Sequence, residues 1–159
     1  MPRSAASAAQ THATLELERF LPYRLSVLSN TVSQAIAAEY EQRFGLTVTQ
    51  WRVMAVLGRY ADVSAREVAE RTAMDKVAVS RAVAGLLDAR RVKRSVAAHD
   101  KRQSVLRLTA AGWKIFDAVA PLAREHEAKL LAHLDEEERA WLARILDKLW
   151  KVERAALAG

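Results

Sequence analysis

Between Leu21 and Phe44 the apolar residues Leu21, Leu25, Leu28, Val32, Ile36, Tyr40 and Phe44 return at steps of three and four. That rhythm places them on one face of a helix of roughly six to seven turns. Pro22 suits the first turn, where a missing N–H leaves no bond unmade, and Gly45 suits the stop, because glycine accepts the left-handed conformation past a helix end. A second stripe of the same period, Trp141, Leu142, Ile145, Leu149 and Val152, follows "LDEEERAW" near the other end of the chain. Asp135 can cap that helix, and Glu136 to Glu138 sit at its positive end. Three prolines and five glycines in 159 residues leave little room for anything but long helices.

The segments between the two stripes are shorter. "LTVTQWRVMAVLGRY" reads as a helix with Thr47 or Thr49 as its cap and Trp51, Met54 and Leu57 turned inward. "SAREVAERT" carries Ser64 and, three residues on, Glu67, which is the pattern of a capping box, so a short helix is expected over 65–72. Thr72 to Met74 reads as a tight turn. Asp75 then caps a fourth helix with Val79, Val83, Leu86 and Leu87 on its inner side. "VKRSV" (92–96) and "SVLRL" (104–108) alternate as strands do, with "AAHDKRQ" as the loop of a hairpin. A helix restarts at Thr109 and runs through Trp113, Phe116, Val119 and Leu122, with a bend expected at Pro121. Trp51 and Trp113, at helical spacing, read as core. The expected fold is mainly α, with a helix-turn-helix and a two-stranded wing in the middle of the chain. A tail over 1–14, rich in Ala, Ser and Thr, is expected to be disordered, and 15–159 to form a single domain.

Charge is distributed unevenly. The net charge is +6, yet the stretch from Arg52 to Arg107 holds 13 Lys and Arg against 6 Asp and Glu. The remainder of the chain has 12 basic and 13 acidic residues, so the whole excess lies in the middle third. A basic lobe between near-neutral flanks points to a polyanion. The absence of cysteine removes disulfides, thiolate metal sites and thiol redox sensing, and is compatible with a reducing, cytoplasmic setting. No apolar run approaches the ~20 residues that span a bilayer, so no membrane partner is expected.

A helix enters the major groove of DNA only if its outer face is slim and polar enough to reach base edges. On the fourth helix the positions left over from the core include Lys76, Ala78, Ser80, Arg81 and Ala84. Small side chains let the backbone come close. Lys76 and Arg81 can reach guanine edges or phosphates, and Ser80 can serve either. Arg90, Arg91, Lys93, Arg94, Lys101, Arg102 and Arg107 then place seven cations within 18 residues, against Asp100 alone. Such a hairpin can follow a phosphate strand and set an arginine in a narrow minor groove. Asp100 reads as an orienter of the loop, either pairing with Arg102 or capping the turn. The expected DNA contacts are Lys76, Ala78, Ser80, Arg81, Arg94, Asp100, Lys101 and Arg102, on double-stranded DNA. The competing reading is a sequence-neutral DNA-coating or architectural protein, which would be equally basic but would have little use for a slim recognition face.

These residues resemble the MarR family of bacterial transcription regulators. "DKRQSVLRLTAAG" matches that family's most specific pattern through Asp100, Arg102, Leu106, Leu108, Thr109 and Gly112, and "VSRAVAGLLDARRVKRS" resembles its recognition helix and first wing strand. The likeness covers roughly residues 20–155. One departure is Arg91, where the family usually has glycine before the strand, which implies a slightly different turn. The resemblance implies a winged helix-turn-helix homodimer. Residues 15–46 and 110–159 would supply the dimerisation helices and 47–109 the DNA-binding lobe, with a pseudo-palindromic operator as target. It also implies a small-ligand pocket between the dimer helices and the DNA lobe.

"FLPYRLSVLSN" resembles the first helix of members that sense aromatic acids or their coenzyme A thioesters. Arg24, Leu25, Leu28 and Ser29 lie within six residues of one another on the first helix, and Trp51, Arg52 and Met54 lie on the second. Packed side by side, they would give an apolar floor, an aromatic wall and a guanidinium for a carboxylate. The alternative is that Leu25, Leu28, Trp51 and Met54 are plain core, with Arg24 and Arg52 at the surface or in ion pairs. No enzyme is expected, and no cofactor or metal. The histidines His12, His99, His126 and His133 show no i, i+4 metal spacing, and no phosphate-binding glycine loop or nucleophile elbow is present.

Overall fold

The computed structural model describes residues 13–60, 62–96 and 104–158. Six helices and two strands follow in the order α1 (Leu21–Phe44), α2 (Val48–Arg59), α3 (Ala65–Thr72), α4 (Lys76–Asp88), β1 (Val92–Val96), β2 (Ser104–Leu108), α5 (Ala110–Leu131) and α6 (Glu136–Ala158). The tail over 1–12 and the hairpin loop over 97–103 lie outside the described residues. The chain divides into two compact units between Ala35 and Ile36, within α1.

Helix starts are set by local chemistry. Thr47 accepts the Gln50 N–H on its hydroxyl while the Gln50 side chain accepts the Thr47 N–H, which decides between the two threonines as cap of α2. Ser64 and Glu67 make the same reciprocal pair at α3. Asp75 accepts from the Val77 and Ala78 amides at α4, and Thr109 from Gly112 at α5. At α6, Asp135 and Glu138 exchange bonds in the same way. Each cap satisfies amides that a helix start leaves orphaned. Helix α1 ends on Gly45, whose φ of +58° is the left-handed conformation glycine takes at no steric cost. Helix α5 runs unbroken through Pro121.

In the second unit one core gathers Tyr40, Leu46, Val53, Met54, Val68, Val79, Val83, Leu86, Val92, Leu106 and Val119. Helix α2 is its centre, packed on α3, α4, α5 and β2. The strands pair antiparallel, with Val92 opposite Leu108 and Lys93 opposite Arg107. A third short segment joins them, because Val63 bridges Leu106 and accepts its N–H at 2.8 Å. The hairpin base is thereby pinned to the chain that follows α2.

One side chain and one turn differ from the expectation. Trp113, expected in the core, is 42% exposed. Its neighbour Gly112 makes the close contact instead, since a Cβ there would stand 2.0 Å from the Arg91 carbonyl oxygen. The altered turn before β1 falls on Arg90 rather than Arg91. Arg90 has a φ of 55°, its N–H bonds the Leu87 carbonyl, and the Arg91 N–H bonds the Leu86 carbonyl. That pair of bonds is the Schellman closure of a helix, which requires its left-handed residue one position before Arg91.

Candidate nucleic-acid interface

Helix α4 sorts its side chains sharply. Val79, Ala82, Val83 and Leu86 are buried, whereas Lys76, Val77, Ser80, Arg81 and Ala84 are exposed. Ala78 is half-buried. The exposed face therefore holds two cations, one hydroxyl and small or compact apolar groups, with no long apolar side chain to block approach to a groove. Val77, 55% exposed, was not singled out from the sequence.

Beside α4, β1 carries Lys93 and Arg94, both exposed. Arg107 faces Lys93 across the hairpin and pairs with Asp62. Asp100, expected to orient the wing, lies with Lys101 and Arg102 outside the described residues. Among the described residues, Asp62 is the carboxylate that holds a wing arginine. It sits 45 positions from its partner, and no local pattern marks such a pair. Arg71 lies over the Tyr60 ring at 4.0 Å and Arg59 at 5.1 Å, extending the basic surface onto α3 and the end of α2. A cleft of about 550 Å³ opens among Arg59, Tyr60, Asp62, Lys93, Arg107 and Trp113.

The residues expected to take a small ligand fall in both units. Arg24, Leu25, Leu28 and Ser29 lie in the first and are exposed. In the second, Trp51 and Arg52 are half-buried and Met54 is fully buried. Trp51 belongs to a run of rings. Its centroid is 5.9 Å from Tyr40 and 5.8 Å from Phe116, and Phe116 meets Trp113 edge-on at 5.4 Å. Such offsets are favourable for aromatic pairs. Among the described residues no cluster of three or more His, Asp or Glu could hold a metal ion, and no helix is long and apolar enough to cross a membrane.

The sequence model of the MarR family matches residues 44–103, from the end of α1 into the hairpin loop. Over 116 residues the chain is 32% identical to the HTH-type transcriptional regulator BilQ of Clostridium symbiosum, a match covering 73% of this chain and 81% of that protein. Among solved structures, a MarR/EmrR family transcriptional regulator from Acinetobacter sp. ADP1 superposes with a TM-score of 0.80 at 29% identity, over 88% of this chain and 99% of that one. The S. aureus MepR-DNA complex superposes with a TM-score of 0.75 at 23% identity, over 85% and 97% of the two chains, a likeness of fold.

Proposed function

The chain belongs to the MarR family of DNA-binding transcriptional regulators, which carry a winged helix-turn-helix, and from that premise we propose that it is a homodimeric repressor released from its operator by a small aromatic acid or its coenzyme A thioester. The observation that carries the DNA half is the outer face of α4. Lys76, Ser80 and Arg81 stand exposed among small neighbours, beside the exposed Lys93 and Arg94 of β1. In this reading the α4 side chains meet base edges, and Arg94, Lys101 and Arg102 hold phosphates and the minor groove. The homodimer rests on 15–46 and 110–159 as dimerisation helices, and the two-fold it imposes makes the operator pseudo-palindromic.

The effector half rests, within the second unit, on the Arg52 guanidinium and the half-buried ring of Trp51. To matter, the acid must bind the released form more tightly by about 1–3 kcal/mol, which is a shift of roughly 5–150-fold in operator affinity.

The test is binding to the DNA upstream of the protein's own gene, with nonspecific DNA in excess, followed by titration with benzoate, cinnamate, nicotinate and their thioesters. Retention of the upstream fragment against the competitor, and release by one of these compounds, is the expected result. Equal competition by any DNA overturns the sequence-specific reading. Failure of every acid and thioester to release the fragment overturns the effector reading.

A further inference from the structure

Helix α1 ends at Phe44, and the carbonyls of its last turn have no partner within the helix. Water or a nearby side chain can satisfy such groups. The Phe44 carbonyl instead accepts from Nη2 of Arg91, 47 positions along the chain. A cation at a helix C-terminus is favoured by the helix dipole as well. The bond is partly buried, so water and salt weaken it less than a surface contact.

The backbone of Arg91 is held just as firmly. Its N–H bonds the Leu86 carbonyl in the last turn of α4, and its carbonyl accepts the N–H of Thr109, the cap of α5. The Thr109 hydroxyl reaches the carbonyls of both Arg90 and Arg91. Val92, the next residue, opens β1. One residue therefore joins the ends of α1 and α4 to the starts of α5 and β1. The side chain is what brings α1 into this joint, because among the described residues α1 has no broad backbone packing on α4 or β1.

Helix α4 spans 13 residues, about 20 Å, so a small swing at its base moves the exposed face by more at the far end. One base pair added between two half-sites shifts them by about 3.4 Å and turns them by about 35°. We propose that Arg91 is a positioning residue for operator recognition. Its guanidinium bond to the end of α1 fixes the separation of the two recognition helices in the dimer, and so limits the half-site spacing that the protein accepts. The inference rests on the homodimeric reading above and is independent of the effector.

The experiment uses the full-length protein and the upstream DNA fragment, with one base pair added or removed between its half-sites. Arg91→Met keeps most of the side-chain stem and removes the donor. The wild type should lose at least about tenfold in affinity on either altered spacing. Arg91→Met should lose less than about threefold on the same change. Because the chain has no cysteine, Ser80→Cys offers a single site on α4 for a spin label. In the DNA-free dimer, dipolar spectroscopy between the two labels should give a narrow distance distribution, and a broad one once Arg91→Met is added. A broad distribution with Arg91 in place overturns the inference, and that measurement needs no change at the joint. An unchanged distribution or spacing preference in Arg91→Met overturns it too. So does a uniform loss of affinity on all three spacings, which is what a lost phosphate contact or lower stability produces. A wild type that binds all three spacings equally overturns the inference and leaves the dimer standing, whereas absence of any dipolar signal between subunits overturns the homodimeric reading as well.

Discussion

Single atoms decide the joint between α4, β1 and α5. The Arg91 carbonyl accepts from the Thr109 amide at 3.0 Å, and the Arg91 guanidinium donates to the Phe44 carbonyl at the end of α1. Gly112 lies against the Arg91 carbonyl, with no room for a Cβ. Gly112→Ala should therefore cost about 1–3 kcal/mol, the usual penalty of overpacking, read as a lower urea midpoint at unchanged slope. Arg90 shows the opposite case. It holds a left-handed conformation that disfavours side chains with a Cβ by about 1–2 kcal/mol. Arg90→Gly should thus raise unfolding stability, by about 1 kcal/mol once the greater freedom of unfolded glycine is set against it. A fall in stability would show that the Arg90 side chain contributes more than its backbone loses. The sequence pattern makes Gly112 visible as part of a motif, but the reason for it is a contact with Arg91, 21 positions earlier. Counting back from the strand likewise points to Arg91 as the unusual residue. Counting forward from Leu86, as the helix-ending bonds do, points to Arg90.

Elements were legible wherever their boundaries are written in adjacent residues. The caps Thr47 with Gln50, Ser64 with Glu67, Asp75, Thr109, and Asp135 with Glu138 each act within three positions, so they can be read directly from the chain. The division of α4 into an inner and an outer face was legible for the same reason, because helical period alone separates Val79, Val83 and Leu86 from Lys76, Ser80 and Arg81. The anchoring of the wing was not legible. The bridge from Val63 to Leu106 and the pair between Asp62 and Arg107 join residues more than forty apart, and nothing near either end signals the other. These elements make separable predictions. Lys76→Ala or Arg81→Ala should relax base preference and cost about 1–3 kcal/mol on the preferred site, measured across a panel of operator variants. Arg102→Ala should instead weaken binding across all sequences and flatten its dependence on salt, as loss of a phosphate contact does. Uniform weakening by every one of these changes would rule out direct readout by α4. Asp62→Ala leaves Arg107 without its partner. Faster hydrogen exchange confined to the β1–β2 amides is expected, and unchanged exchange would mean that the Val63 bridge alone fixes the wing.

At the scale of the whole molecule, α6 is the element whose side chains most need explaining. Trp141, Leu142, Ile145, Leu146, Leu149, Trp150 and Val152 are all exposed, between 37% and 59%. At 100° per residue these seven cover about half of the helix circumference, wider than the roughly 100° stripe of an ordinary surface helix. Such an area does not stay in water on a regulator that must remain dissolved at working concentration. A second copy of the chain covers it most simply, because a two-fold axis brings the same stripe from both subunits together. The protein is therefore expected to sediment as a dimer at micromolar concentration. An operator with half-sites about one helical turn apart, roughly 10 bp, follows from that symmetry. Ile145→Glu together with Leu149→Glu places two charges in the stripe. Since both positions are exposed in the single chain, the change should leave helical content near its original value while shifting the protein to monomer. Operator affinity should then fall and become steeply dependent on protein concentration, since each DNA lobe must find its half-site without the other. A wild-type protein that sediments as a folded monomer, or a double variant that remains a dimer with unaltered operator binding, would show that α6 meets some other surface and that the two-fold operator has no basis in this fold.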